Sequence, residues 1–408
     1  MKKSLFAMAA VTAFAGAAQA QSSVTVYGII DAGYIGGNVR SATGTVATST
    51  PLRGTYNNIG SSAESTSRLG FRGTEDLGGG LSAFFTLETG LQPTNATAST
   101  FNNRQTFVGL RDKAIGAVSF GTQYTPIHGA VAVTTANQQN NMVGDVIYPI
   151  APANNGNAGI AQFASTSNTD SYTVRTNNMV LLESKNIAGI VGKAFYTAND
   201  ANTTVRTSSS GGQNNVNGWG LGLNYTFNKL LVTANYQSFN LEQSPSAVLW
   251  TNNGSASNAV ANQTSSTLNS AAIFTGSAGA NIKDNQMYVA AAYDFGILKA
   301  FAGYINRKAT SQLNSSNYLN RSAQQLGVRG YVTKTVEGWA SVGSGRYDAF
   351  GATTPTVNFT GYQLGMNYWL SKRTNMYTIF GSTQQSSAGT TTPSLGANNY
   401  AAGVRHTF

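Results

Sequence analysis

The side chains that most often carry catalysis are scarce in this sequence. It contains two histidines, His128 and His406, and no cysteine among its 408 residues. Without thiolates, and with two histidines far apart along the chain, neither a zinc site nor a Ser-His-Asp arrangement can readily be built. The sequence therefore predicts a protein that is not an enzyme and that holds no metal or cofactor.

The remaining polar motifs do not point to phosphate or nucleic-acid chemistry. Glu75 and Asp76 are adjacent in a segment typical of a tight turn, and the glycines of residues 218 to 222 lie inside an alternating strand pattern. Phosphate-binding glycine loops need a turn from a strand into a helix instead. The 25 basic residues outnumber the 15 acidic ones but are scattered along the chain rather than clustered, so we expect no nucleic-acid partner.

The composition excludes several broad classes of protein. Only 10% of the residues are charged, well below the roughly 25% of soluble domains, while 41% are apolar. A disordered chain combines low hydrophobicity with high net charge, which this sequence does not. Beyond the N-terminus no window approaches the roughly 20 consecutive apolar residues of a transmembrane helix.

The first twenty residues have the three parts of a secretory signal peptide. Lys2 and Lys3 precede an apolar stretch, and Ala18 and Ala20 flank Gln19 in a small-x-small cleavage pattern. We therefore expect residues 1 to 20 to be a signal peptide. The mature chain, residues 21 to 408, would carry a net charge of +8 after the loss of the two lysines.

The mature chain alternates between apolar and polar residues, which is the period of β-strands. The last strand, for example, places Tyr400, Val404, His406 and Phe408 on one face and Arg405 on the other. The pattern predicts sixteen strands, beginning near residues 24, 64, 81, 101, 116, 171, 188, 216, 230, 285, 297, 321, 335, 357, 374 and 397.

The connections between these strands alternate in length. Short links fall at residues 74 to 80, 112 to 115, 184 to 187, 227 to 229, 296, 333 to 334 and 371 to 373. Long polar links fall at residues 38 to 63, 92 to 100, 125 to 170, 200 to 215, 241 to 284, 309 to 320, 349 to 356 and 385 to 396. Tight turns at one end and long loops at the other are typical of outer-membrane barrels.

A membrane explains why the alternating faces carry so few large core residues. Lipid can solvate an apolar face, but it cannot satisfy backbone groups, so the sheet must close on itself. A closed sheet of sixteen strands encloses an aqueous channel. Aromatic residues at strand ends beside the short turns fit the interfacial girdle of such barrels; they are Tyr225, Phe227, Tyr293, Phe295, Tyr331, Tyr368 and Trp369.

Several segments resemble the trimeric general porins of the Gram-negative outer membrane, in their beta-proteobacterial branch. They are VTVYGIIDAG at 24 to 33, SRLGFRGTEDLGGGL at 67 to 81, NRQTFVGL at 103 to 110, residues 116 to 126, LSKRT at 370 to 374, and the terminal GVRHTF. The resemblance implies an all-β fold, a 16-stranded antiparallel transmembrane β-barrel with short periplasmic turns and long extracellular loops. It also implies multi-pass localisation in the outer membrane among its lipids, and a homotrimer.

The same resemblance assigns residues to a constriction. The loop at about 125 to 170 would fold inward, with Asp145 facing a basic wall formed by Arg68, Arg175, Arg104 and Arg72. Thr122 stands where many members of the family have a further arginine, and the loop lacks their Pro-Glu-Phe-Gly motif. The terminal Phe408 resembles the signal read by the outer-membrane assembly machinery.

Physics links this basic wall to ion selectivity. Low-dielectric walls focus the field of charges that line a narrow passage, and rings of Arg or Lys favour anions. We expect a passive channel for small hydrophilic solutes and ions, with a modest preference for anions.

Three alternatives remain open at this point. The main one is a plugged outer-membrane adhesin or structural barrel, with which the long loop at 241 to 284 is compatible. An outer-membrane enzyme and a soluble secreted β-protein are the others. The sequence has too few histidines for an outer-membrane enzyme, and the alternating loop lengths argue against a soluble secreted β-protein.

Overall fold

The computed structural model describes most of residues 21 to 408, including part of one inward-folding loop. It describes residues 23–43, 48, 50–94, 102–150, 171–202, 213–243, 280–312, 315–316, 318–350, 356–387 and 394–408. The predicted signal peptide and most of the 241 to 284 loop lie outside the described residues, as does the second half of the 125 to 170 loop.

The described residues form seventeen strands and one helix. In chain order they are β1 (Ser23–Thr43), β2 (Thr50–Ser61), β3 (Arg68–Gly78), β4 (Leu81–Gly90), β5 (Asn102–Asp112), β6 (Gly116–Tyr124), α1 (Pro126–Thr134), β7 (Arg175–Ser184), β8 (Ile190–Asn202), β9 (Gln213–Phe227), β10 (Leu230–Gln243), β11 (Ala280–Asp294), β12 (Lys299–Ser311), β13 (Tyr318–Tyr331), β14 (Val336–Phe350), β15 (Thr356–Trp369), β16 (Thr374–Gln385) and β17 (Leu395–Thr407).

The strands close into one antiparallel barrel, which confirms the predicted fold class. Except that β2 and β3 both pair with β1 instead of with each other, each strand pairs with its neighbours in sequence. The barrel closes where β1 pairs with β17, from Ile29 opposite Thr407 to Arg40 opposite Gly396. The terminal Phe408 exchanges two backbone hydrogen bonds with Gly28, which completes this seam. Closure pairs the first strand with the last, as a membrane-spanning sheet requires.

The second barrel strand is broken into two pieces. Both β2 and β3 pair with β1, and residues 62 to 67 between them leave the ladder. The barrel therefore has sixteen strand positions built from seventeen segments. The long link predicted at 38 to 63 was wrong in extent, because β1 continues to Thr43 and β2 begins at Thr50. Polar residues on both faces of β2 hide the alternation there.

The outward face is apolar and carries the predicted aromatic girdle. Exposed aromatic side chains beside the short turns are Tyr225, Phe227, Tyr293, Phe295, Tyr331 and Tyr368. Trp369 differs from this prediction, since its indole Nε1 donates a hydrogen bond to Glu337 Oε2 at 3.3 Å on the inner side. Aromatic rings at this depth lie where the hydrocarbon meets the headgroups.

The loop between β6 and β7 folds into the barrel. It begins with α1, whose first turn is capped by Thr125 and carries Pro126 at its first position. Both features favour a helix start, but nine residues are too few for the sequence pattern to predict one. The helix contacts β9 to β12 from inside the barrel.

Apolar residues of the inner wall pack beneath this loop. Ile127 and Val131 of α1 join Ile147 of the loop, Tyr288 of β11 and Ile305 of β12 in one buried cluster. The inner face is thus polar where it meets the channel and apolar where the loop covers it, because buried apolar contacts stabilise the docked loop.

Candidate functional site

A β-bulge aims Arg104 into the barrel. In the ladder of β4 and β5, Glu88 pairs with Gln105 and Thr89 pairs with Asn103, so Arg104 has no partner and the register shifts. Bulges of this kind re-aim a side chain. The guanidinium of Arg104 donates from Nε to Glu88 Oε1 at 2.7 Å.

Glu88 is the carboxylate at the centre of the basic wall. It is 3% exposed and also accepts a hydrogen bond from Tyr27 Oη at 3.1 Å. Its Oε1 lies 3.8 Å from Arg68 Nη1, a longer contact than the one with Arg104. The structure therefore brings two predicted wall residues, Arg68 and Arg104, together around one buried acid.

Of the two arginines around Glu88, Arg68 is the one that keeps an unused hydrogen-bond donor. Its side chain is 23% exposed, and its Nε is buried without a hydrogen-bond partner. A buried donor without an acceptor is costly.

Tyr124, at the end of β6, joins Arg104 and Arg175. Its hydroxyl oxygen accepts a hydrogen bond from Arg104 Nη2 at 2.7 Å, and Arg175 Cζ lies 5.8 Å from the centre of its ring. Tyr124 and Arg175 are opposite each other in the β6–β7 ladder. Both arginines are largely covered, with Arg175 5% exposed and Arg104 6% exposed.

Arg72 extends the basic wall along β3. It is four residues beyond Arg68 on the same face, and its Cζ lies 5.3 Å from the ring centre of Tyr27. Unlike Arg104 and Arg175 it is exposed. Arg68 and Arg72 are thus the wall arginines that water reaches most readily.

His128 on α1 faces this wall from the loop. Its ring centre is 4.3 Å from that of Tyr124, and its Nδ1 lies 3.2 Å from Tyr172 Oη and 3.1 Å from Gln139 Nε2. Burial, followed by the positive charges of Arg175, Arg104 and Arg68, lowers the pKa of His128 well below its usual range. A neutral imidazole therefore adds no positive charge to the site at neutral pH.

Asp145 is buried in the inward loop and is held by groups of the loop itself and of the wall. It is 3% exposed, and its Oδ1 accepts hydrogen bonds from the backbone nitrogens of Ile147 at 2.8 Å and Tyr148 at 2.9 Å. Burial raises the pKa of its carboxyl group, and these hydrogen bonds oppose that rise. This geometry makes Asp145 a fastening point of the loop.

Polar side chains of the wall hold the loop backbone in place. Gln363 on β15 donates to the carbonyl oxygens of Met142 at 2.7 Å and Val143 at 2.9 Å, and Gln325 Oε1 on β13 accepts from the Val146 nitrogen at 2.9 Å. On β11, Gln286 Oε1 accepts from the backbone nitrogen of Thr173 at 2.7 Å. These side-chain hydrogen bonds satisfy loop backbone groups that would otherwise be bonded in a β-ladder.

Sequence reasoning missed Glu88 and most of the ion pairs along the rest of the lumen. Arg307 pairs with Asp284 at 2.6 Å, Arg329 with Glu337 at 2.7 Å, and Arg405 with Glu64 at 3.5 Å. Alternation places Arg329 and Arg405 on the inner face, but Glu337 lies on the neighbouring strand β14 and Glu64 lies in the break between β2 and β3. Thr122 shares the outward face with Phe120, so it is not a wall position.

Within the described part of the chain, no group of three or more His, Cys, Asp or Glu could hold a metal ion. No helix described there is long and apolar enough to span a membrane. What the cluster can do is electrostatic, since several cations share a narrow lumen and concentrate anions near it.

Comparison with known proteins agrees with this geometry. The Gram-negative porin family profile matches residues 7–388. The chain is 33% identical over 252 residues to an outer membrane porin protein of Bordetella pertussis, covering 59% of this chain and 60% of that protein. The chain thus spans less than two thirds of the length of this curated relative.

Two solved structures share the fold. The anion-selective porin from Comamonas acidovorans superposes with a TM-score of 0.60 at 20% identity, covering 95% of this chain and 100% of that one. The trimer form of OmpT, an outer membrane protein of Vibrio cholerae, superposes with a TM-score of 0.57 at 16% identity, covering 95% and 99%. With its family match and its closed, outwardly apolar barrel, the chain belongs to the Gram-negative porins and spans the outer membrane.

Proposed function

We propose that this protein is a general diffusion porin, a passive water-filled channel for small hydrophilic solutes and ions with a modest preference for anions. The observation that carries the proposal is the incompletely bonded, partly exposed guanidinium of Arg68, with exposed Arg72 on the same inner face. Glu88 is shared between Arg68 and the closer Arg104, so one buried carboxylate faces two of these arginines.

The charge arrangement gives the selectivity its sign and its limits. A cation that lines a narrow passage lowers the barrier for anions and raises it for cations. The passage stays wet, so the preference is modest. It weakens at high salt, because the Debye length falls from about 10 Å at 0.1 M to about 3 Å at 1 M.

The basic wall comprises Arg68, Arg72, Arg104 and Arg175, and the loop that carries His128 and Asp145 narrows the lumen opposite it. In this assignment Arg68 and Arg72 contact the solute. The more buried Arg104 and Arg175 contribute to the positive potential in the lumen without contacting the solute, and Asp145 holds the loop in its conformation. The anion-selective porin of Comamonas acidovorans, which shares the fold, supports the sign of the preference.

Planar-bilayer recording under a KCl gradient tests the proposal. The wild type should give open steps with a reversal potential of anion-preferring sign. The double variant Arg68→Gln with Arg72→Gln should shift that potential toward cations, while the control Lys372→Gln with Arg373→Gln, in an exposed periplasmic turn, should not. A silent bilayer would refute the channel, and an unshifted potential in the double variant would refute the assignment of these two arginines.

The channel is further proposed to assemble as a homotrimer, which the trimer form of the similarly folded OmpT supports. Native mass spectrometry of the detergent-extracted protein should give three chains per particle, and a monomer mass would contradict it.

Phe408, exposed on the outward face beside the barrel seam, is the proposed contact of the assembly machinery. Its deletion should lower the yield of folded barrel without blocking secretion.

A further inference from the structure

The break in the second barrel strand lies beside a buried acid of β1. The ladder of β1 with β2 ends where Ala32 faces Ser61, and the ladder with β3 begins where Ile29 faces Arg68, so two residues of β1 span the six residues 62 to 67. Asp31 is one of these two and is 0% exposed. The surplus chain leaves the ladder, and a carboxyl group lies where the ladder is missing.

The side chain of Asp31 binds the backbone of the break. Its Oδ2 accepts hydrogen bonds from the backbone nitrogens of Glu64 at 2.8 Å and Ser65 at 2.6 Å. Its Oδ1 accepts one from Tyr377 Oη on β16 at 2.6 Å. A carboxylate can accept several hydrogen bonds at once, so this one side chain satisfies donors that a regular ladder would otherwise bind.

The break in turn binds the inward loop. Asn141 Nδ2 donates to the carbonyl oxygen of Ser62 at 2.7 Å and to Thr66 Oγ1 at 3.1 Å, and the Asn141 nitrogen donates to the carbonyl oxygen of Ala63 at 3.0 Å. Ala63 also packs with Met142 of the loop in one buried cluster. The path of the break therefore determines where this part of the loop lies.

The last residue of the break, Ser67, immediately precedes Arg68. Its Oγ accepts a hydrogen bond from the Asp31 nitrogen at 3.0 Å and lies 3.2 Å from the Asp31 carbonyl oxygen, to which it donates. The Ser67 nitrogen donates to Ser62 Oγ at 2.9 Å across the break. Asp31 thus holds the backbone from which Arg68 extends into the channel.

We propose that Asp31 is a positioning residue of the channel, which sets the places of both the inward loop and Arg68 by holding the break in its inward path. This inference deepens the proposed function and rests on it. Asp31 is fully buried, so it acts through the break rather than by contact with a solute. Its loss should change conductance, through the loop, and selectivity, through Arg68, in the same variant.

Planar-bilayer recording of Asp31→Ala under a KCl gradient tests this proposal. Alanine removes the three side-chain hydrogen bonds. We expect a larger conductance and a reversal potential shifted toward cations, because a wider passage and a displaced Arg68 both weaken the preference for anions. Wild-type conductance and potential in this variant would overturn the proposal, whereas a silent wild type would refute the channel itself.

Two matched variants separate hydrogen bonding from charge and from general stability. In Asp31→Asn, Oδ1 can accept from both backbone nitrogens and Nδ2 can donate to the hydroxyl of Tyr377, so the channel should behave like the wild type. Tyr377→Phe removes the bond at Oδ1 but leaves those to the break, and should also leave the channel unchanged. If either variant changed the channel as much as Asp31→Ala, the proposed mechanism would be wrong.

Hydrogen exchange of residues 138 to 143 tests whether Asp31 acts on the loop through the break. Asn141→Ala removes the side-chain bonds from the loop side without altering the barrel wall. Exchange should rise about tenfold in Asp31→Ala and in Asn141→Ala. It should rise little further in the double variant, because both changes weaken one contact. Additive increases would overturn the proposal.

Ser67→Ala keeps the test open if Asp31→Ala gives no folded barrel. It removes the hydrogen bonds of Oγ to Asp31 and leaves the carboxyl group bound to the break. The reversal potential should shift toward cations, because the backbone before Arg68 is released. An unshifted potential in folded Ser67→Ala would overturn the positioning of Arg68 by Asp31.

Discussion

Arg307 and Arg321 occupy directly opposite positions on β12 and β13, with both side chains buried inside the barrel. Like charges at opposite positions normally destabilise a sheet. Here Asp284 binds Arg307, while Arg321 Nη1 donates to Ser171 Oγ at 2.6 Å and Nη2 to the carbonyl oxygen of Val146 at 2.8 Å. The charge of Arg307 is thus neutralised by Asp284 of the wall, whereas the hydrogen-bond donors Nη1 and Nη2 of Arg321 bind the loop.

Arg321 binds both described limbs of the loop, so its removal should release them. Arg321→Gln removes buried hydrogen bonds to a charged group, worth about 1.5–3 kcal/mol each. We expect single-channel recordings to show larger conductance and more frequent fluctuations in this variant. Arg373→Gln, in a periplasmic turn, is the matched control and should behave like the wild type. Unchanged conductance in the Arg321 variant would show that the loop is held without it.

Neutralising Glu88 should move selectivity in the opposite direction from neutralising Arg68. Glu88→Gln leaves Arg68 and Arg104 without their buried counter-charge, so the reversal potential under a KCl gradient should shift further toward anions. The amide keeps the size of the side chain and can still accept a hydrogen bond. Glu75→Gln, outside the channel, controls for the change in net charge. A shift toward cations would contradict the basic-wall assignment.

The burial of His128 predicts that acid weakens the docking of the loop. Its pKa is lowered when the loop is docked, so between pH 6.5 and the lowered value the released loop binds a proton that the docked loop excludes. Docking is therefore favoured fully above about pH 6.5 and loses stability as the pH falls, by up to about 2 kcal/mol at pH 5.

Hydrogen exchange of residues 126 to 150, corrected for intrinsic rates, measures this effect. Exchange should rise between pH 7.5 and pH 5 in the wild type. The variant His128→Gln, which cannot be protonated, should show no such rise. The same pH dependence in both proteins would assign the effect to another group.

Two inner-wall glycines allow the loop to lie close to β15 and β16. A Cβ at Gly381 would collide with the carbonyl oxygen of Val143, and a Cβ at Gly361 would lie 2.5 Å from the carbonyl oxygen of Gly144. Gly361→Ala should therefore displace the loop by a few tenths of an ångström or more, changing conductance with little effect on the barrel. Gly338→Ala on β14, where a Cβ meets nothing within 4 Å, is the control. Identical conductance in both variants would contradict the close packing.

The barrel could be predicted from the sequence because its pattern is local. Alternation placed the starts of β4, β6, β10 and β16 at residues 81, 116, 230 and 374, as in the structure. The split of the second strand could not be predicted in this way, because β2 is polar on both faces. The helix α1 was not predicted, because its nine residues contain too few helical turns for a helical periodicity to be recognised.

The channel site was only partly predictable. The inward parity of Arg68 and Arg72 follows from alternation, whereas Arg104 depends on a bulge that shifts the register by one residue. The counter-ion Glu88 and the loop contacts of Arg321 and Gln363 join positions far apart in sequence. Such pairings depend on the closed barrel and leave no local pattern.

The break at residues 62 to 67 has a mechanical consequence. Ala63 in this segment accepts a hydrogen bond from the Asn141 nitrogen at 3.0 Å, while Gln363 grips the next two loop residues from β15. The loop is therefore hydrogen-bonded to two separate parts of the barrel wall, residues 62 to 67 and β15. Any change in the shape of the barrel's cross-section would therefore strain these hydrogen bonds at both attachment points.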